Sequence, residues 1–247
     1  MRNYFTAFQM TQSMFCSLPF PCRDWDEKCR LYMMIFLPAI GLEIGALWVF
    51  LDWILKICNI PKMLCAILLC AWPYLATGFM HLDGFMDVTD AVCSWRDLEK
   101  RRQILKDSHV GSFAVVWSIF LILAGFAAFA SVKEGTNSWC LLLVPVLSRC
   151  CSALAVMNLK TMSTSQYANT NNYPKWHNVF LIFLIIACTG FGFICFGKYG
   201  CALLAVLAGY GIALKKSYDS LQGMNGDISG FCICISELCA AIVFACI

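Results

Sequence analysis

The stretch LYMMIFLPAIGLEIGALWVFLDWIL, Leu31 to Leu55, carries only two charged residues, Glu43 and Asp52. A bilayer's hydrocarbon core is crossed by a helix of about 20 apolar residues, so this stretch is long enough to span. Six further apolar runs follow, at about residues 63–81, 112–131, 138–158, 178–197, 200–214 and 228–247. The run from Gly200 to Leu214 is short, and a partly re-entrant segment fits it as well as a span does. The whole chain of 247 residues is 60% hydrophobic and 13% charged, with a mean hydropathy of +0.72. A soluble domain is nearer a quarter charged. These figures predict an all-α polytopic membrane bundle of about seven spans. With no repeats or low-complexity tracts, residues 1–247 read as one integral membrane domain.

Upstream of the first span, Met1 to Arg30 places Phe5, Phe8 and Phe15 ahead of the turn LPFP, Leu18 to Pro21. This predicts an interfacial helix lying on the membrane, then a proline-set turn. No small-residue cleavage site follows the first span, so a cleaved signal peptide is not expected. The 17 cysteines are scattered through apolar runs without a CxxC pair. They read as small buried hydrophobes in a reducing compartment rather than as a disulfide framework or a zinc site.

Lysine and arginine set the orientation. With seven spans, the amino-terminal stretch and the loops bearing Arg96–Lys106, Lys160 with Lys175, and Lys215 with Lys216 share one side and hold thirteen basic residues. The other side holds four: Lys56, Lys62, Lys133 and Lys198. The amino terminus is therefore expected in the cytoplasm and the carboxyl terminus outside, in the cell membrane. Nothing in the charge pattern calls for a nucleic acid, and homo-oligomerisation is left open.

This topology collects the acidic residues at one interface. In HLDGFMDVTD, His81 to Asp90, the carboxylates of Asp83, Asp87 and Asp90 are spaced i, i+4, i+7, which puts them on one helix face. Like charges so crowded repel unless a counter-ion sits among them, and three hard oxygen donors suit Mg²⁺ when the substrate carries phosphates. A solvated acidic helix start is the plainer alternative. Gly84 permits a close backbone approach. His81 reads as a structural or ligand contact, with no proton-transfer role.

Beyond the cluster, SWRDLEKRRQILKDSHVG puts Asp97 and Glu99 ahead of Lys100, Arg101 and Arg102. That order complements a helix dipole, so the basic residues read as a solvated or lipid-facing surface. Lys106-Asp107-Ser108 stands where the chain re-enters the membrane. It could hold a phosphate oxygen and a metal, or be a snorkelling lysine paired with its neighbour. Arg149, in VLSRCCSAL, is a guanidinium inside a span and needs a partner or an anionic ligand. In GMNGDISG, Gly223 to Gly230, Asn225 and Asp227 open the last span, with Asp227 as a cap or ligand. Glu237 and Glu43 lie in apolar surroundings and must be paired, protonated or functional.

HLDGFMDVTD, then KDSHVGS, Lys106 to Ser112, then GMNGDISG closely resemble the membrane-bound cobalamin synthases, the adenosylcobinamide-GDP ribazoletransferases. FCSLPFP, LPAIGLEIGA and VLSRCCSAL resemble the family's amino-terminal segment, first span and fourth-span arginine segment, so the likeness covers nearly the whole chain. It implies a Mg²⁺-dependent transfer. A ribose hydroxyl of α-ribazole, or of its 5′-phosphate, attacks the cobinamide-linked phosphate of adenosylcobinamide-GDP, and GMP leaves. By this likeness Asp83, Asp87 and Asp90 act catalytically and hold Mg²⁺, with Asp107 and Asp227 as further ligands. His81, Gly84, Lys106, Ser108, Arg149, Asn225 and Glu237 would contact the substrate, in a wide cavity open to the cytoplasm. The chain departs from the family pattern at His109, Gln222, Cys234, the Lys215–Lys216 pair and the loop Ser163 to Lys175. A CDP-alcohol phosphotransferase would require Ala-Arg shortly after Asp83-Gly84, where Phe85 and Met86 stand instead. A transporter would line a pathway with acids, and only Glu43 and Glu237 offer that.

Overall fold

A computed structural model describes residues 2–20, 25–133, 135–162, 165 and 173–247. Among them the α-helices are α1 (Arg2–Phe15), α2 (Met33–Ile57), α3 (Lys62–Ala76), α4 (Met80–Cys93), α5 (Leu98–Ile104), α6 (Ser112–Ser131), α7 (Val144–Asn158), α8 (Lys175–Phe196), α9 (Cys201–Leu221) and α10 (Gly226–Cys246). Short 3₁₀ turns precede α2, α7 and α9. No strand forms among the described residues; an isolated parallel bridge joins Thr161 to Met224.

Five helical segments are long and apolar enough to cross a membrane, or six if the bent pair α3–α4 is one span. The difference from seven lies in Lys175–Leu221, a continuous 47-residue helical segment. It contains both α8 and α9, and a turn at Gly197, φ 56°, divides it. The packing clusters show that the chain doubles back there. One cluster gathers Met10, Met33, Val88, Cys150, Leu181, Tyr210 and Ile228, and the other gathers Trp48, Leu69, Phe129, Leu147, Leu203 and Phe244. Thus α8 begins beside the first cluster and ends beside the second, and α9 returns. The multi-pass bundle has two ends, one at each cluster.

Packing inside an apolar solvent depends on close van der Waals contact and satisfied polar groups. Gly41 and Gly45 of α2 lie directly on the backbone of Pro145 and Leu142, where a Cβ would not fit, so α2 and α7 are in close contact. Trp48 donates its indole N–H to the Leu69 carbonyl at 2.9 Å, and Trp72 donates to that of Ile44 at 2.9 Å. These bonds tie α2 to α3 without leaving a buried donor unpaired.

The sequence places α1 on the membrane surface as an interfacial helix. In the fold α1 packs against α2, with Ala7, Met10 and Thr11 at 0% exposure. Gln12 Nε2 donates to Glu43 Oε2 at 2.7 Å, so the acid of the first span has its partner in α1. The segment after α1 closes over the end of α3. Ser17 donates its N–H to the Ala76 carbonyl at 2.8 Å and its hydroxyl to that of Leu75 at 2.7 Å. Helix α3 stops there because Gly78 and Phe79 both take left-handed conformations, φ 58° and 63°. The chain then turns by 88° into α4. A left-handed non-glycine residue costs roughly 1–2 kcal/mol, so the bend at Phe79 is held by the packing around it.

Candidate active site

The turn at Phe79 lays the acid-bearing helix α4 across α10 and α6. Two glycines permit that crossing. A Cβ on Gly84 would lie 2.8 Å from the Cα of Asp227, and one on Gly230 would lie 3.0 Å from the His81 carbonyl oxygen. The close backbone approach that Gly84 permits is therefore made by the Asp227 backbone of α10. Its effect on the site is still direct, because the close crossing sets Asp227 beside α4. The carboxylates of Asp83, Asp227 and Asp90 all lie within electrostatic reach of Asp87, and Asp83 acts on Asp227 as well. Among the described residues no Lys, Arg or His forms an ion pair with Asp83, Asp87 or Asp227.

Asp90 has a structural task as well. Its Oδ2 accepts the N–H of Gly111 at 2.6 Å and its Oδ1 that of Ala114 at 2.9 Å. Both oxygens accept at the start of α6, whose N-cap residue Gly111 has no side chain to do this. The i+7 carboxylate is thus a cap from a neighbouring helix. Asn225 likewise takes the capping role the sequence assigns to Asp227. Its Oδ1 accepts the Ile228 N–H at 3.0 Å, and its Nδ2 donates to Asp227 Oδ2 at 2.6 Å, which orients that carboxylate.

Lys106, Asp107 and Ser108 are exposed in the turn that leads to Gly111. Asp107 Oδ1 receives the backbone N–H of His109 at 3.0 Å and contacts its Nδ1 at 2.6 Å. These bonds hold the Asp107 carboxyl below the ordinary carboxylate range. The turn is joined to the acid cluster through Asp90, and it contributes no side chain to the cavity beneath that cluster. Arg102, read from sequence as a surface residue, instead donates to the Leu221 and Gln222 carbonyls at 2.9 and 2.8 Å. Arg101 reaches the Ser220 carbonyl at 3.3 Å. Helix α5 therefore caps the carboxyl-terminal end of α9, where cations are favoured.

Beneath the carboxylates lies a cavity of about 120 Å³, lined by Asp83, Asp227, His81, Arg149, Ser152 and Ser229, with Met14, Phe15, Leu37 and Ile40 among its apolar residues. The sequence does not reveal that α1 supplies two residues of its wall. The cavity is also narrower than the wide one expected for a corrinoid. Arg149 lines its floor and is held there by a buried ion pair. Arg149, 2% exposed, pairs through Nη1 with Glu237 Oε1, and Ser148 Oγ donates to the same oxygen at 2.8 Å. The two residues that each lacked a partner in the sequence are partners of one another. Arg149 Nη2 approaches His81 Nδ1 at 3.5 Å; since a guanidinium only donates, His81 presents that nitrogen as a lone pair. The hydroxyls of Ser152 and Ser229 meet beside the floor.

A family model described as cobalamin-5-phosphate synthase matches residues 7–245 of the chain. The chain belongs to this family. Curated relatives agree with the match. An adenosylcobinamide-GDP ribazoletransferase of Clostridium perfringens is 35% identical over 241 residues, covering 96% of both chains. One of Clostridium botulinum (strain Alaska E43) is 34% identical over 243 residues, again covering 96% of each. One of Lachnoclostridium phytofermentans is 29% identical, covering 93% of this chain and 89% of its own. No solved structure matches the chain. As a cobalamin-5-phosphate synthase family member it is a membrane-embedded transferase of cobalamin synthesis. The carboxylate-lined cavity is its candidate active site.

Proposed function

We propose that the chain transfers the cobinamide-linked phosphate of adenosylcobinamide-GDP to a ribose hydroxyl of α-ribazole or its 5′-phosphate. A new P–O bond to the ribose forms, the P–O bond to GMP breaks, and the hydroxyl proton is lost. The observation that carries this reading is the convergence of three carboxylates that form no ion pair among the described residues, Asp83, Asp87 and Asp227, above a cavity with Arg149 in its floor. The family match supports this choice of phosphate chemistry.

The donor set suits Mg²⁺. Uncompensated carboxylates that repel one another favour a hard cation between them. Among the described residues no three His, Cys, Asp or Glu side chains stand together so that they could hold a metal ion by themselves. That agrees with a cation which takes one or two carboxylates and completes its shell with phosphate and water. One or two of Asp83, Asp87 and Asp227 would hold it, with Asp90 left to cap α6. When bound, it would neutralise charge on the diphosphate. Asn225 keeps Asp227 in one orientation. The Arg149 guanidinium, fixed by Glu237 and Ser148, lines the floor where a phosphate oxygen can approach its edge. The cavity's 120 Å³ suits a phosphate with its attached oxygens, so the corrin ring would rest outside it. Glu43 and Glu237 are each hydrogen-bonded within the bundle, which argues against an acid-lined transport path.

The basic residues outnumber those of the opposite end thirteen to four on the acidic-cluster side of the topology. This supports a cell-membrane protein with amino terminus and active site in the cytoplasm. To test the activity, membranes containing the protein are given adenosylcobinamide-GDP, α-ribazole and Mg²⁺, and GMP is followed together with the corrinoid product. Equimolar formation of both is expected. GMP no higher than that of an Asp83→Asn control would overturn the proposal.

A further inference from the structure

A second cavity with polar walls lies at the other end of the bundle. It encloses about 390 Å³ and is lined by Lys56, Lys62, Lys133 and Asp52 above an apolar floor that includes Leu69 and Phe129. Lys56 is already engaged. Its Nζ contacts Asp52 Oδ2 at 2.6 Å, Ser138 Oγ at 3.1 Å and the Thr136 carbonyl at 3.4 Å. With Lys56 neutralised by Asp52, the positive charge facing the cavity comes from Lys62 and Lys133. Lys62 opens α3, so the positive end of that helix faces the same space. Lys133 Nζ has a long contact, 3.4 Å, with the Ile247 carbonyl.

Beside this cavity runs an apolar groove of about 630 Å³, and the two share Asp52, Lys56 and Ser138 in their walls. Ala46, Phe50 and Trp53 form one side along α2, and Trp139 and Leu142 face them. From Ala46 to Lys56 the helix rises about 15 Å, the length of several turns that an extended alkyl chain could follow. Trp53 stacks on Phe50 with ring centroids 5.7 Å apart, and Trp53 and Trp139 are each 55% exposed. Exposed tryptophans near charged helix ends mark the membrane–water boundary. The lysines thus stand at headgroup depth, and the groove runs from them toward the hydrocarbon.

We infer that this end of the bundle binds an anionic phospholipid, with its phosphate headgroup between Lys62 and Lys133 and one acyl chain in the Phe50–Trp53–Trp139 groove. A cavity whose Lys62 and Lys133 form no ion pair among the described residues, next to a long apolar trough, matches the two halves of such a lipid. A zwitterionic lipid would meet the same trough but bring a cation to the lysines. The site lies opposite the carboxylate cavity and takes no part in phosphate transfer.

The test uses the purified full chain in detergent, given phosphatidylglycerol, phosphatidylcholine or inorganic phosphate, with bound lipid read by native mass spectrometry. Phosphatidylglycerol is expected to be retained in preference to phosphatidylcholine. The Lys62→Gln/Lys133→Gln double variant should lower its retention at least about tenfold, given that each lysine near an anionic surface has an appreciable attraction. Ala46→Phe, which fills the groove, should lower it too, and Lys100→Gln at the opposite end should not. An unchanged thermal midpoint in each variant shows that the fold is intact. Equal retention in the double variant, or no preference for the anionic lipid, overturns the proposal. So does competition by inorganic phosphate that Ala46→Phe leaves untouched, which would make the site one for a free anion.

Discussion

Replacing Glu237 by glutamine should destabilise the protein strongly, because it strips a buried guanidinium of its counter-charge. Arg149 is 2% exposed and its Nη1 is committed to Glu237 and Ser148. Removing one partner of such a pair costs about 3–5 kcal/mol, whereas replacing both by apolar groups of similar volume is often neutral. In a chain of this size 1 kcal/mol moves the midpoint by about 2–4 °C, so Glu237→Gln should lower it by about 6–20 °C. The double variant Arg149→Met/Glu237→Leu should recover most of that loss. The assay is thermal unfolding of purified protein in detergent for both single variants and the double, read as a double-mutant cycle. Glu237→Gln within about 2 °C of the parent, or single-variant losses that simply add in the double, would refute the ion pair as a structural unit. The double variant should be folded and inactive, since it also removes Arg149 from the cavity floor.

Other positions give equally direct expectations. Asp90→Ala removes the cap from two N–H groups of α6 and should cost about 0.5–2 kcal/mol in the same unfolding assay. Asp87→Asn, which caps nothing, should leave the midpoint close to the parent's; a larger stability loss at Asp87 than at Asp90 would reverse these two roles. Arg102→Met removes two charged hydrogen bonds from the end of α9, worth roughly 1.5–3 kcal/mol each where well shielded and less at this partly exposed site. Amide exchange near Leu221 to Met224 should quicken in Arg102→Met and stay unchanged in Lys100→Gln. Gly84→Ala drives a Cβ to 2.8 Å from Asp227 and should cost about 1–3 kcal/mol through overpacking, with GMP release falling as the carboxylates move apart. Gly211→Ala, with nothing within 4 Å of the added carbon, should keep full activity.

Much of the architecture is legible in the residues because lipid permits so few alternatives. Long uncharged runs must be helices, and the excess of Lys and Arg at one end is local information. The acid spacing likewise points to the candidate site at Asp83 and Asp87. What the spacing cannot carry is the destination of a third carboxylate. Asp90 caps α6 because Gly111, 21 residues on, supplies no side chain of its own there. Arg149 and Glu237 each signal an unmet need, and their pairing across 88 residues becomes visible only once α7 and α10 are packed. The face of α1 presents a similar ambiguity. An apolar stripe suits lipid and protein alike, and here Ala7 and Met10 meet α2 while Met14 and Phe15 enter the cavity wall. The turn at Gly78 and Phe79, which aims α4 at α10, has little local signature beyond its glycine.

The most direct test of the carboxylate centre is a Mg²⁺ titration of GMP release from adenosylcobinamide-GDP, comparing the parent with Asp87→Asn in the same membranes. Loss of a positioned charge at a transferring phosphate typically costs about 10²–10³ in turnover. The variant should therefore fall by about that factor and require more Mg²⁺ to reach what rate remains. Full activity in Asp87→Asn, with the parent's Mg²⁺ dependence, would contradict a metal-holding role for this cluster.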